Sequence, residues 1–212
     1  MVPRTIIGIG GFPDEAMFEY VLARARGRKV LVDRAASPIW MDPLELPGEL
    51  SFVDFYPWPP ADLREQALAA DVIVVCGGNT ANMLAVWRVH GFDRILREAW
   101  ESGVVLTGWS AGMICWFEAC VTDSFGPQLD GMRDGLGFIP GSACPHYDGE
   151  ERRRPVYTDL VANGFPPGIA LDDAAGALFA GTELVEVVAS TAAARGYHVG
   201  PDGEVALPVR LL

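Results

Sequence analysis

The sequence predicts an α/β fold, a doubly wound and mostly parallel sheet flanked by helices. Three observations predict it. Short apolar runs such as "DVIVVCGG" show no polar alternation, as strands buried on both faces require. The segments between those runs carry apolar residues at helical spacing. The two kinds of segment alternate along the chain, which is the pattern of strand–helix–strand crossovers.

Taken in order, Arg4 to Ile9 reads as a short buried strand, followed by Gly10-Gly11 and a helix start at Pro13-Asp14. Ala16 to Ala25 has helical periodicity, and Gly27 stops it. Lys29 to Val32 is a second strand, and proline-containing Trp40 to Leu50 is an irregular connection. Ser51 to Tyr56 is a third strand, closed by the turn "PWPP". Ala61 to Ala70 is a helix, and Asp71 to Gly78 is the strongest buried strand. Asn79 caps a helix to about Val89, and a second helix covers Phe92 to Glu101. Gly103 to Leu106 is a strand that leads into Ser110, after which "AGMICWF" continues with helical character. Beyond Gly135 come shorter strands at Ile139–Cys144, Gly168–Leu171, Gly176–Phe179 and Leu184–Ala189, with a helix from about Glu150 to Ala162. No repeat, linker or low-complexity tract divides the chain, so residues 1–212 read as a single domain.

Composition narrows the function. Half of the 212 residues are hydrophobic and 21% are charged, a globular balance. A formal net charge of -12 argues against a nucleic-acid partner, because phosphate binding needs a basic face. Lys29 is the sole lysine, which argues against Schiff-base or P-loop chemistry. Cys76, Cys115, Cys120 and Cys144 form no Cys-x-x-Cys pair and read as free, buried thiols. With no leader and no apolar run of about 20 residues, the expectation is a cytoplasmic protein without a membrane span. No cofactor or metal is expected, and a homodimer is a possible assembly.

The chemistry centres on "GWSAG", Gly108 to Gly112. A serine on a sharp strand-to-helix turn is strained, and small neighbours relieve the collisions while exposing its hydroxyl. The following amide, that of Ala111, then points toward a developing oxyanion. Of three histidines, His90 sits at a helix end and His198 in a late polar hairpin. His146, in "SACPHYDGE", follows an apolar strand at the sheet end where such enzymes place reactive groups. An orienting carboxylate is offered by Asp173 in "GIALDDAAG" or by Asp123 in "CVTDSFG"; Asp172 faces the other way by strand alternation. "CGGNT" suggests a second oxyanion amide. Arg152, Arg153 and Arg154 follow His146, and one guanidinium is placed to clamp a substrate carboxylate. "GIGGFP" is not a dinucleotide loop, because Pro13 falls where the third glycine belongs.

Through "VVCGGNTANMLAVW", "GVVLTGWSAGM", "CPHYDGEERRR" and "GIALDDAAGAL", the chain resembles the peptidase E family of serine peptidases, which includes aspartyl dipeptidase and the related cyanophycinase. The matching segments span roughly Asp71 to Ala180, in the family's order. The resemblance implies a fold akin to class I glutamine amidotransferases, with serine in place of their cysteine. It implies Ser110 as nucleophile, His146 as base, and Gly78 and Ala111 amides as the oxyanion hole. It implies substrate contacts from Asn79, Thr80 and Arg152 or Arg153. The implied activity is metal-free removal of an N-terminal aspartate from small peptides. Asp173 stands where the family often has glutamate, so the orienting acid is Asp173 or Asp123. Two rival readings are a β-aspartyl or isopeptide hydrolase of cyanophycinase type, and a non-catalytic descendant that binds an amino acid or peptide.

Overall fold

A computed structural model describes residues 4–37 and 46–212. Part of the irregular connection expected over Trp40 to Leu50 therefore lies outside the described residues. The described chain contains an eight-stranded and a six-stranded sheet, flanked by helices.

The larger sheet holds β1 (Thr5–Ile9), β2 (Lys29–Asp33), β3 (Glu49–Val53), β4 (Val72–Val75) and β5 (Val105–Trp109), all parallel, in the order β1-β5-β4-β2-β3. Beyond β1 it continues through β10 (Ala175–Ala180), β11 (Glu183–Ala189) and β14 (Val209–Leu211), with β10 antiparallel to both of its neighbours. Side chains alternate between its faces. Ile7, Ile9, Val30, Val32, Val72 and Val74 pack with Met17, Phe18 and Val21 of α1 (Glu15–Leu22). Ile6, Leu31, Ile73 and Val75 face a core shared with α2 (Leu63–Ala69), α3 (Thr80–His90), α4 (Phe92–Glu101) and α5 (Ala111–Ile114). Phe92, Leu96, Ala99 and Trp100 are the buried stripe of α4. Trp87, Trp100 and Trp116 are fully buried there, and truncating any one costs about 3–5 kcal/mol.

The smaller sheet runs β13 (Gly203–Ala206), β12 (Gly196–Gly200), β9 (Gly168–Leu171), β8 (Ile139–Cys144), β6 (Phe117–Thr122), β7 (Asp130–Met132). Helix α6 (Arg153–Ala162) packs on it through Tyr157 and Val161.

Two expectations are corrected. The apolar segment after Ser110 is helical for a single turn, and Phe117 to Thr122 is a strand. Backbone partners decide this: Leu136 N–H donates to Cys115 O at 2.9 Å and Phe138 N–H to Trp116 O at 2.8 Å, turning the chain toward β8. The helix expected from Glu150 begins at Arg153, because a turn precedes it in which Arg153 N–H donates to Glu150 O. No helix among the described residues is long and apolar enough to cross a membrane.

Candidate active site

The carboxyl ends of β5 and β4 bring the serine turn and the Gly-Gly-Asn loop side by side. Ser110 has φ 55° and ψ −116°, in the region that L-residues avoid. Holding it there costs about 1–3 kcal/mol. Its carbonyl accepts from Met113 N–H at 2.9 Å and Ile114 N–H at 3.1 Å, which closes the turn into α5. The small neighbours are required by packing: a Cβ on Gly108 or Gly112 would collide with the Val75 carbonyl. Gly77 is equally close, since a Cβ there would lie 3.2 Å from that of Ser110.

Gly78 has φ 140°, and a Cβ would collide with the Ala36 carbonyl, so only glycine fits. Among the described residues neither the Gly78 nor the Ala111 amide makes a hydrogen bond, and Gly78 is exposed. Amides without another partner are what a developing oxyanion needs.

His146 leaves β8 through Pro145 with φ 51°. Among the described residues, Ser110 and His146 are the two non-glycine residues with positive φ. Tyr147 N–H donates to Leu171 O at 3.1 Å, and Glu150 N–H to His146 O at 3.0 Å, which hold the distorted turn. His146 Nδ1 lies 2.6 Å from Asp173 Oδ1. In the neutral imidazole, an Nδ1–H donated to that carboxylate leaves Nε2 as the acceptor.

Asp173 is itself fixed. Its N–H donates to Asp148 Oδ1 at 2.9 Å, and its carbonyl accepts from Gly11 N–H at 2.9 Å. A side chain on Gly11 or Gly149 would strike it. The β1 loop also carries the tie to the serine, because Ser110 N–H donates to Ile9 O at 3.3 Å. Three residues, Ile9 to Gly11, thus bind the serine turn and the histidine's carboxylate to one rim. Among the described residues the Ser110 hydroxyl itself makes no hydrogen bond.

The other candidate residues fall nearby in different roles. Asp123 is exposed and the carboxylate at His146 is that of Asp173. Asp172 is buried, as alternation requires; burial pushes its carboxyl up to about 6, while Arg195 N–H donates to it at 2.7 Å. Asn79 caps α3 by accepting from Asn82 N–H at 2.9 Å and donates from Nδ2 to Ser124 O at 2.9 Å, so both polar ends are engaged. Thr80 is buried in the first turn of α3. Arg153 is buried, with Nε 2.8 Å from Glu150 Oε2 and Nη1 donating to Val121 O at 3.0 Å. Arg152 is exposed, and it donates to Gln128 Oε1 at 3.0 Å and Pro127 O at 2.9 Å.

Gly11, Asp148 and Gly149 are the participants that sequence reasoning did not pick out. The glycine pair at Gly10-Gly11 was visible, but read only against a dinucleotide loop it carried no role. All four cysteines are free and buried, and burial pushes the Cys76 and Cys120 thiols up to about 12. Among the described residues no group of three or more His, Cys, Asp or Glu is arranged to hold a metal ion.

Comparison with known proteins places the chain in a family of peptidases. The model of peptidase family S51 matches residues 44–187. An uncharacterised peptidase, YgaJ of Bacillus subtilis (strain 168), is 48% identical over 172 residues, covering 79% of this chain and 73% of the relative. A Listeria monocytogenes EGD-e crystal structure, of a candidate peptidase E, superposes with a TM-score of 0.65 at 16% identity, covering 86% of this chain and 97% of that one. A peptidase from an acI-B1 Actinobacterium superposes at 0.69 with 17% identity, covering 97% and 94%. At such identities the structural likeness speaks to the fold alone, which is that of class I glutamine amidotransferases.

Proposed function

The chain belongs to peptidase family S51, and from that premise we propose that this peptidase is a serine exopeptidase removing N-terminal aspartate from short peptides. Ser110 attacks the carbonyl carbon, and His146 takes the hydroxyl proton at Nε2. Asp173 holds the imidazole and stabilises its charged form. The Gly78 and Ala111 amides receive the oxyanion. The imidazolium then gives its proton to the leaving amine, an acyl-enzyme remains, and water activated by the same imidazole releases aspartate.

The observation that carries this reading is the pairing of strain with hydrogen bonding. Positive φ at Ser110 and His146 marks two turns held against their preference, and the 2.6 Å contact with Asp173 favours the Nδ1–H tautomer that a base needs. For the aspartate, Arg152 is the assigned partner, being exposed on the chain that leads away from His146. Arg153 supports that segment from inside through Val121 O and Glu150.

The test is hydrolysis of Asp-Leu by the parent chain and by Ser110→Ala. Removal of the nucleophile is expected to lower kcat by several orders of magnitude. Near-normal turnover in the variant would refute the mechanism, and assaying β-Asp-Arg beside Asp-Leu separates an isopeptidase from an α-peptidase.

A further inference from the structure

A cleft of about 520 Å³ is lined by Arg34, Asp54, Tyr56, Asn79, Asn82 and Val86 among others, and Asn79 directly follows Gly78, the proposed oxyanion amide. It crosses the carboxyl ends of β4, β2 and β3, three adjacent parallel strands. Two inter-strand gaps of about 4.8 Å give about 10 Å, the length of three extended residues at about 3.3 Å each.

Its chemistry suits an uncharged stretch of peptide. Arg34 and Asp54 neutralise one another, with Nη2 at 3.0 and 3.2 Å from the two carboxylate oxygens. Asn82 offers an amide, the group that pairs with peptide backbones, and Val86 and Phe55 supply apolar wall. Tyr56 is 74% exposed on this wall, and Trp58, two residues on, is 75% exposed. An exposed aromatic ring beside a cleft offers a flat apolar surface on which a ligand side chain can pack.

Resting on the proposed reaction, we infer that this cleft binds the residues that follow the scissile bond, so that the preferred substrates are tri- to pentapeptides rather than dipeptides. Release of one N-terminal residue requires space for a single residue on the acyl side. A cavity of this volume therefore belongs to the leaving portion. Tyr56 packs against a side chain of that portion, and Asn82 holds its backbone.

The test measures binding in Ser110→Ala, so that it does not depend on turnover. Calorimetric titration with Asp-Leu and Asp-Leu-Ala-Ala is expected to show the longer peptide binding at least fivefold tighter. Adding Tyr56→Ala, an exposed position whose change leaves the core intact, is expected to remove most of that gain. Equal affinity for the two peptides, or a gain that survives Tyr56→Ala, overturns the inference. Hydrolysis by the parent chain is scored separately: tight, length-dependent binding with no turnover of either peptide would sink the peptidase mechanism and leave the cleft assignment standing.

Discussion

Among the described residues, Asp33 is the carboxylate that burial pushes furthest toward its neutral form. It ends β2, is wholly buried, and accepts from Trp87 Nε1–H at 3.1 Å and Ala35 N–H at 3.2 Å. Burial is the dominant influence and pushes its carboxyl from 3.8 up to about 7 against those two donors. Between these values the folded chain binds a proton that the unfolded chain has released, so stability falls as pH rises. The contribution is complete below about pH 4 and gone above about pH 7. At 1.36 kcal/mol per pH unit, a window of about three units is worth about 4 kcal/mol. Asp33→Asn removes the titration, though it also turns an amide donor toward one of the two N–H groups. The informative quantity is therefore the pH dependence of the stability difference between variant and parent, not its value at one pH. Urea unfolding at pH 4.5, 6.0 and 7.5 is expected to show the variant gaining on the parent by about 3–4 kcal/mol across the series. A difference that stays constant within about 0.5 kcal/mol would refute the argument. The site shares in the outcome, since the turn after Asp33 presents the Ala36 carbonyl that holds Asn79 N–H at 2.8 Å beside Gly78.

Asp173→Asn leaves the shape intact but weakens the preference for the Nδ1–H tautomer of His146, and kcat for Asp-Leu is expected to fall about 10²–10⁴-fold; a fall of less than tenfold would assign the orienting role elsewhere. Gly149→Ala drives a methyl into the Asp173 carboxylate. It is expected to lower kcat about 10²-fold, with the fold retained by circular dichroism, and unchanged kcat would show that the carboxylate position is not critical. Arg152→Ala is expected to reduce the kcat/KM preference for Asp-Leu over Ala-Leu about 10–100-fold, the worth of a charge-assisted hydrogen bond. An unchanged ratio would remove Arg152 from recognition.

Much of the central sheet was legible because its signals are local. Val72–Val75 is apolar without alternation, Asn79 caps α3 through its own side chain, and Gly91 ends that helix with φ 71°. The segment after Ser110 was not legible. Met113 to Phe117 is apolar at every position, which fits a buried helix or a buried strand equally. The choice is made by partners near residues 136–139, beyond any local window. At the site, Ser110 and His146 announce themselves by their neighbours, whereas Asp173 and Asp123 each follow an apolar strand and look alike. What separates them is the loop of β1 and the side chain of Asp148, both far along the chain from Asp173.

The position of Asp173 explains why these distant contacts matter together. Ser110 ends a strand of the larger sheet and His146 follows a strand of the smaller one. Asp173 lies in the short connection from β9 to β10, where the chain passes from the smaller sheet to the larger. Gly10 N–H to Ala175 O, Gly11 N–H to Asp173 O and Tyr147 N–H to Leu171 O hold this connection, and Ser110 N–H to Ile9 O ties the serine turn to the same loop after β1. The bonds that join the two sheets thus also fix the backbone on either side of Asp173 and His146. Strained turns persist only where their surroundings determine the backbone: Tyr147 N–H to Leu171 O and Glu150 N–H to His146 O do so at His146, and Ser110 N–H to Ile9 O with Met113 N–H to Ser110 O does so at Ser110.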